Sequence, residues 1–255
     1  MQGAGNDYVY VNGFAEEVNN PAMLAVKISD RHFGVGADGL IILQPSEVAD
    51  FKMKMYNADG SEGAMCGNGI RCAVYYAMKY GIVRNEAAMV ETAAGIKRVE
   101  RRQDEFLVDM GQPCFLPNPK PDCSFLRGVY ETMSVSMGNP HFVAFVRNLD
   151  EICVNQAGPR LEHAPEFHDG VNIEFAQILD DTHIKMRVWE RGSGETLACG
   201  TGTCAAAAAA LKAELLHQNH IVVCNPGGSL EVIKKENTLW LSGPAEFVFE
   251  GSWES

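Results

Sequence analysis

Apolar and polar positions alternate in short stretches along this chain, with few long helical stripes. Period-two alternation marks half-buried strands. It covers residues 8–11, 40–43, 52–56 and 89–92, and later 134–136, 142–146, 173–178, 184–189 and 221–224. Strand-like stretches at 106–110 and 238–241 each run toward a glycine, and 245–253 reads as a closing strand. Only two segments predict long helices: 69–80, stopped by Gly81, and 202–216, whose centre is the alanine run 205–210. Alanine favours helix and brings no bulk, which suits a helix threaded through a tight space. Many short strands with one long helix per half predict an α+β fold of mainly antiparallel sheets, not alternating βαβ units.

The pattern repeats at a constant offset of 133 residues. Gly5-Asn6 falls on Gly138-Asn139, Glu62 on Glu195, Cys66 on Cys199, Gly67 on Gly200, Gly69 on Gly202 and Gly95 on Gly228. Matches spread over this distance point to duplication. The expected organisation is two similar, pseudo-symmetric domains, 1–113 and 114–244, divided near the proline-rich stretch 113–121. A C-terminal strand, 245–255, is expected to complete the first domain.

Composition narrows the function. The 255 residues are 46% apolar and 21% charged, with a net charge of −12. No basic stripe is present, which argues against nucleic acid and anionic membranes as partners. No apolar run reaches the roughly 20 residues that span a bilayer. The start lacks the pattern of a signal peptide. The eight cysteines therefore read as free thiols in a reducing cytoplasm. The Cys66/Cys72 and Cys199/Cys204 spacings suit zinc poorly, so no metal is expected. Cys72, Cys114, Cys123, Cys153, Cys204 and Cys224 read as buried structural thiols.

Cys66 and Cys199 are different. Each opens a predicted helix within Cys-Gly-x-Gly. Free N–H groups and the positive end of the helix dipole lie there. Such a start is expected to favour thiolate and lower the cysteine pKa toward neutrality. It also binds carboxylates, and the glycines let a ligand approach the backbone. Two domains presenting one thiol each, on opposite sides of a carbon, could remove a proton from one face and return it to the other. That is stereochemical inversion by general acid–base catalysis.

At these residues the chain resembles the diaminopimelate epimerase family. The resemblance is carried by Gly3-Ala4-Gly5-Asn6-Asp7, Tyr56-Asn57-Ala58-Asp59-Gly60-Ser61-Glu62, Cys66-Gly67-Asn68-Gly69, Ser136-Met137-Gly138-Asn139-Pro140-His141, Val171-Asn172, Glu190-Arg191-Gly192-Ser193-Gly194-Glu195-Thr196 and Ala198-Cys199-Gly200-Thr201-Gly202. It implies two similar domains, each a curled sheet around a central helix. It implies a cytoplasmic isomerase of lysine and cell-wall precursor biosynthesis that interconverts LL- and meso-diaminopimelate without pyridoxal phosphate, metal or other cofactor. By position, Cys66 and Cys199 become the acid/base pair. Gly67, Asn68, Gly200 and Thr201 hold the reacting carboxylate through their backbone. Asn6, Asn57, Asn139, Asn172, Glu190 and Arg191 line the substrate site, with His141 and Glu190 supporting the chemistry. These residue types suit a substrate with an amino-acid group at each end: Arg191 can grip the distal carboxylate, and Glu190 and the asparagines can accept from its ammonium. Two positions depart from the family. Gly39, opposite Asn172 under the offset, stands where some members carry glutamine, and Met1 nearly abuts the first motif, which is expected to shorten the first strand.

Other readings stay open on the residues alone. A two-cysteine racemase of the proline or hydroxyproline type would not need Glu190-Arg191 and the asparagines. A non-catalytic amino-acid-binding paralogue would not need both cysteines. A thiol-redox or metal protein would be told by metal content and reversible disulfide formation. The chain leaves open whether it forms a homodimer.

Overall fold

A computed structural model describes residues 1–117 and 119–253. Asn118, in the expected boundary stretch, and residues 254–255, in the expected closing strand, lie outside the described residues. The chain forms two compact units, Met1–Asp109 with Gly243–Ser255, and Met110–Ser242.

The first unit contains β1 (Gln2–Gly3), β2 (Asn6–Asp7), β3 (Val9–Asn12), α1 (Pro21–Ser29), β4 (Gly39–Gln44), β5 (Phe51–Asn57), β6 (Glu62–Gly63), α2 (Gly67–Lys79), β7 (Ala87–Thr92), β8 (Gly95–Arg102) and β9 (Glu105–Gly111). Its sheet order is β3-β4-β5-β7-β8-β9. The pairs β3–β4 and β5–β7 are parallel, and the other pairs of this run are antiparallel. β4 is apolar on both faces and fully buried over Gly39–Leu43, where α1 covers one side and α2 the other. β1 is two residues long: Gln2 and Gly3 pair with Asp7 and Asn6.

The second unit contains β10 (Cys114–Phe115), β11 (Val129–Ser136), β12 (Pro140–Val146), α3 (Val154–Glu162), β13 (Asn172–Ile178), β14 (His183–Glu190), β15 (Gly194–Thr196), α4 (Gly200–Lys212), β16 (His220–Asn225), β17 (Gly228–Lys235) and β18 (Thr238–Pro244). The sheet order is β10-β11-β12-β13-β14-β16-β17-β18. Here β12–β13 and β14–β16 are parallel, at the same offset as the parallel pairs of the first unit. α4 touches β11, β12, β13, β14, β16 and β17, and every residue of its alanine run is at most 3% exposed. Larger side chains would hold these strands apart; alanine lets them close around the helix. The α+β reading of two similar halves, each a mainly antiparallel sheet around a helix, holds.

The repeat extends further than the motifs suggested. α1 and α3 start 133 residues apart, as do α2 and α4, β7 and β16, β8 and β17, and β9 and β18. Both central helices end in the same Schellman turn. Ile82 N donates to Ala77 O at 2.8 Å and Leu215 N to Ala210 O at 2.9 Å, with Gly81 at φ 73° and Glu214 at φ 57°.

Four expectations need correction. Each unit has a second helix. α1 is capped by Asn20 and led by Pro21, and α3 buries Val154, Ala157 and Leu161 despite Pro159. Glycine at 158 lets α3 touch Trp189, whose ring would stand 2.3 Å from an added Cβ. α4 stops at Lys212, because Glu214 turns left-handed. β8 and β17 were not foreseen; they are charged and partly exposed, so their alternation is weak. Residues 245–253 form no strand. Apart from a bridge between Gln2 and Glu246 the segment is irregular, and Val248 and Phe249 stay about 60% exposed without a partner strand to cover them.

Candidate active site

In the first unit the chain enters α2 through Cys66, whose extended backbone makes it the N-cap. Its Sγ accepts from Gly69 N at 3.3 Å, and the thiol donates to Asn6 Oδ1 at 3.1 Å. Asn6 in turn donates to Asp38 Oδ2 at 2.6 Å, and Asp38 pairs with Arg31 at 2.9 Å. Burial raises the Asp38 carboxyl above its ordinary value, against the pull of the Asn6 bond. Gly67 and Asn68 form the buried first turn of α2. Arg71, one turn on, is completely buried. Its guanidinium donates to Pro244 O, Gly67 O and Asn68 Oδ1 at 3.2, 3.2 and 2.9 Å. All three acceptors are neutral, so a positive charge sits behind the thiol's helix start. Burial lowers the Arg71 pKa, opposed by the thiols of Cys72 and Cys66.

Asn57 is not bonded into this group; its amide donates to Ser61 Oγ at 2.9 Å in the turn after β5. Gly39 has no room for a side chain, since an added Cβ would meet Tyr56 O at 2.2 Å. A glutamine here would require the backbone to move. A cavity of about 720 Å³ on this unit, lined by Tyr10, Leu24, Lys27, Tyr76 and Phe249 among others, contains none of the expected site residues.

The second unit builds the same cap. Cys199 is the N-cap of α4, and its Sγ accepts from Gly202 N at 3.4 Å. Gly200 and Thr201 form the first turn, with Thr201 Oγ1 3.4 Å from Cys199 Sγ. Asn139 Nδ2 also reaches Thr201 Oγ1 at 3.4 Å. Asn139 Oδ1 lies 3.0 Å from His141 Nε2, and His141 Nδ1 lies 2.7 Å from Glu174 Oε1. His141 and Glu174 are both fully buried. Among the described residues no donor meets Glu174 Oε2. An orphaned buried acceptor costs about 1–3 kcal/mol. Glu190 accepts a hydrogen bond from Thr196 Oγ1. Burial raises Glu190, opposed by its hydrogen bonds with Thr196 and Cys199.

These charges overturn one expectation. Cys199 is pushed well above the ordinary thiol value, first by burial and then by the negative fields of Glu190 and Glu174. The Gly202 N–H at the helix start pulls the other way and loses. A helix N-terminus favours thiolate only while water or cations keep the site hospitable to charge.

Asn172 spends both ends of its amide inside the protein. It donates to Pro140 O at 2.9 Å and accepts from Arg191 N at 3.0 Å. The exposed Arg191 guanidinium donates to Asp169 O at 3.0 Å, and Asp169 O is its one acceptor among the described residues. α3 buttresses this end of β14: Glu162 accepts from Trp189 Nε1 at 2.7 Å and from Gly192 N at 3.0 Å.

The structure therefore joins Asn6 to Cys66, and Asn139, His141 and Thr201 to the surroundings of Cys199. Asp38, Arg31, Arg71 and Glu174 were missed. Glu174 had a signal: two residues beyond Asn172 on β13, it shares that residue's face while Ile173 and Phe175 fill the core. The reading of the other cysteines is corrected as well. Cys72 and Cys204 are buried, but Cys114 and Cys153 are exposed and Cys123 and Cys224 half-buried. Cys114 lies on a two-residue strand and Cys153 caps α3 from outside, so neither has a core to enter.

Comparison with known proteins identifies the family. The family model described as diaminopimelate epimerase matches residues 1–116 and 133–248. A diaminopimelate epimerase from Acetivibrio thermocellus is 45% identical, over 98% of this chain and 96% of its own. One from Desulfovibrio desulfuricans is 43% identical, over 99% and 96%. Among solved structures, a phenazine biosynthesis protein of the PhzF family from Bacillus anthracis superposes with a TM-score of 0.71 at 19% identity, covering 92% of this chain and 89% of that one, and so shares the fold. With a family model and near-full-length relatives in agreement, the chain belongs to the diaminopimelate epimerase family, a family of isomerases.

Proposed function

We propose that this enzyme interconverts LL- and meso-diaminopimelate by taking the α-proton onto one of Cys66 and Cys199 and returning a proton from the other, without cofactor or metal, in the supply of lysine and cell-wall precursors. The observation that carries the reading is the pair of repeat-equivalent thiols, each capping a central helix at the same offset. Burial and the neighbouring carboxylates raise Cys199, which favours its thiol form before substrate binds. Cys199 serves as the proton donor of one direction, and Cys66, as thiolate, takes the α-proton. In the reverse direction the roles exchange. The carbanion that forms between the two steps places negative charge on the α-carboxylate. The N–H groups of Gly67-Asn68 and Gly200-Thr201, at the two helix starts, meet that charge with fixed dipoles, which need no reorganisation.

The remaining residues divide by chemistry. Asn6 and Asn139 orient the reacting end beside the two sulfurs. Arg191 grips the distal carboxylate with its free donors, and Asn172 acts through it by holding its backbone. Asn57 and Glu190 accept from the distal ammonium. His141 and Glu190 set the charge around Cys199. A substrate without a second ionised end leaves Arg191 and Glu190 unpaired, which disfavours proline-type substrates.

The test is α-proton exchange in D₂O with LL-diaminopimelate, on reduced, pyridoxal-free protein and its Cys66→Ala and Cys199→Ala variants. Exchange with inversion in the wild type, and inversion lost in both variants, is expected. Wild-type protein inert toward diaminopimelate but active on proline would overturn the substrate; inversion surviving either variant would overturn the two-base scheme.

A further inference from the structure

The two half-sites differ most at one pair of positions. In the first, Ile41 lies against the start of α2: an added Cβ at Gly69 would stand 2.7 Å from Ile41 Cδ1. In the second, the residue 133 positions on is Glu174, and an added Cβ at Gly202 would stand 2.5 Å from Glu174 Oε1. A carboxylate thus occupies the place of a methyl group, fully buried, against the first turn of the helix that Cys199 caps. Packing alone does not call for this exchange, because isoleucine fills the equivalent place and needs no desolvation. Among the described residues the acid's one hydrogen bond is with His141 Nδ1 at 2.7 Å, and the other ring nitrogen lies 3.0 Å from Asn139 Oδ1. Both partners are acceptor oxygens, so each ring nitrogen donates to one of them and the ring is held in one plane.

We propose that Glu174 is a positioning residue of the second half-site, holding His141 and, through the ring, Asn139 in place beside Cys199. The proposal rests on the reading of Cys199 as an acid/base residue. The chain of contacts runs from β13 through β12 to the loop before it. Glu174 fixes Nδ1, the ring presents Nε2 to Asn139, and the Asn139 amide reaches Thr201 beside the sulfur. The charged and titratable groups around Cys199 are Glu174, Glu190 and His141. Glu174 therefore also contributes one of the two negative fields on this thiol.

The experiment compares Glu174→Gln, and Glu174→Ile as the first half's solution, with wild type. For each, kcat and KM for diaminopimelate are measured. The pH profile of Cys199 alkylation by iodoacetamide is recorded separately in a Cys66→Ala background. In Glu174→Gln, kcat should fall about tenfold to a hundredfold with KM changed less than about threefold. The alkylation midpoint should move down by about one pH unit, because a neighbouring negative charge is gone. Folded variants with unchanged kcat and an unchanged midpoint would overturn the proposal. If neither variant folds, nitrogen NMR of His141 in the wild type decides: a proton on Nδ1 supports the assignment and a bare Nδ1 overturns it. If wild-type protein fails to epimerise diaminopimelate, the functional reading falls, while the alkylation and NMR results still decide what Glu174 does.

Discussion

Adding one methyl group at Gly202 should damage the protein, while the same change at its repeat partner Gly69 should not. Both glycines stand at the third position of a central helix, where alanine is favoured over glycine by up to about 1 kcal/mol. At Gly69 the new Cβ meets the terminal methyl of Ile41 at 2.7 Å, and a small rotation relieves the overlap at a cost of about 0.5–1.5 kcal/mol. Gain and cost nearly cancel. At Gly202 the Cβ meets Glu174 Oε1 at 2.5 Å, with Cδ at 3.2 Å and Cγ at 3.3 Å behind it, so the whole carboxylate must retreat. Ordinary contact begins at 3.4 Å, and the oxygen that must move is the one held 2.7 Å from His141 Nδ1. Losing that charge-assisted bond costs about 1.5–3 kcal/mol. Gly202→Ala should therefore lose about 1–2 kcal/mol in urea unfolding, while Gly69→Ala stays within about 0.5 kcal/mol of wild type. Epimerase turnover should fall in Gly202→Ala alone. Equal stability changes in the two variants, or full turnover in Gly202→Ala, would refute the reasoning.

The Schellman turns offer a second test. Glu214 adopts the left-handed conformation that Gly81 adopts in the first unit, so Glu214→Gly should stabilise by about 0.5–1 kcal/mol and Gly81→Ala should destabilise by a similar amount, read as shifts in thermal midpoint. Glu190 gives a pH dependence. Its carboxyl is raised on folding, so its contribution to stability is fully present below the ordinary carboxylate range and is lost as pH rises through the folded value. Glu190→Gln should flatten that loss when urea midpoints are compared across about pH 4 to 8; an unchanged slope would show that Glu190 ionises as freely in the folded protein as in the unfolded chain.

Much of this architecture was legible in the amino-acid order because duplication wrote it twice. Cys66 and Cys199 could be placed at helix starts from the glycines around them, and the structure makes both of them N-caps. α1 and α3 were missed because nine residues carry little periodicity, and because Gly158 and Pro159 read locally as a loop. The repeat held the missing clue, since either helix sought at the offset points to the other. The charge environment was the least legible part. Cys199 has a raised pKa because folding buries it and then brings Glu190 and Glu174, on two different strands, beside it. Arg71 sits five residues from Cys66 in plain view, yet only burial shows that its charge is held by neutral oxygens.

The discontinuous make-up of the first unit sets an order on biosynthesis. The second unit is one continuous stretch, whereas the first needs Gly243 onward to be complete. Pro244 O is one of the three acceptors of buried Arg71, behind the helix start that Cys66 caps. A ribosome adding about 5–20 residues per second delivers that oxygen only after the whole second unit has been made. The contact of Pro244 O with Arg71 is therefore the last piece of the first half-site to be made.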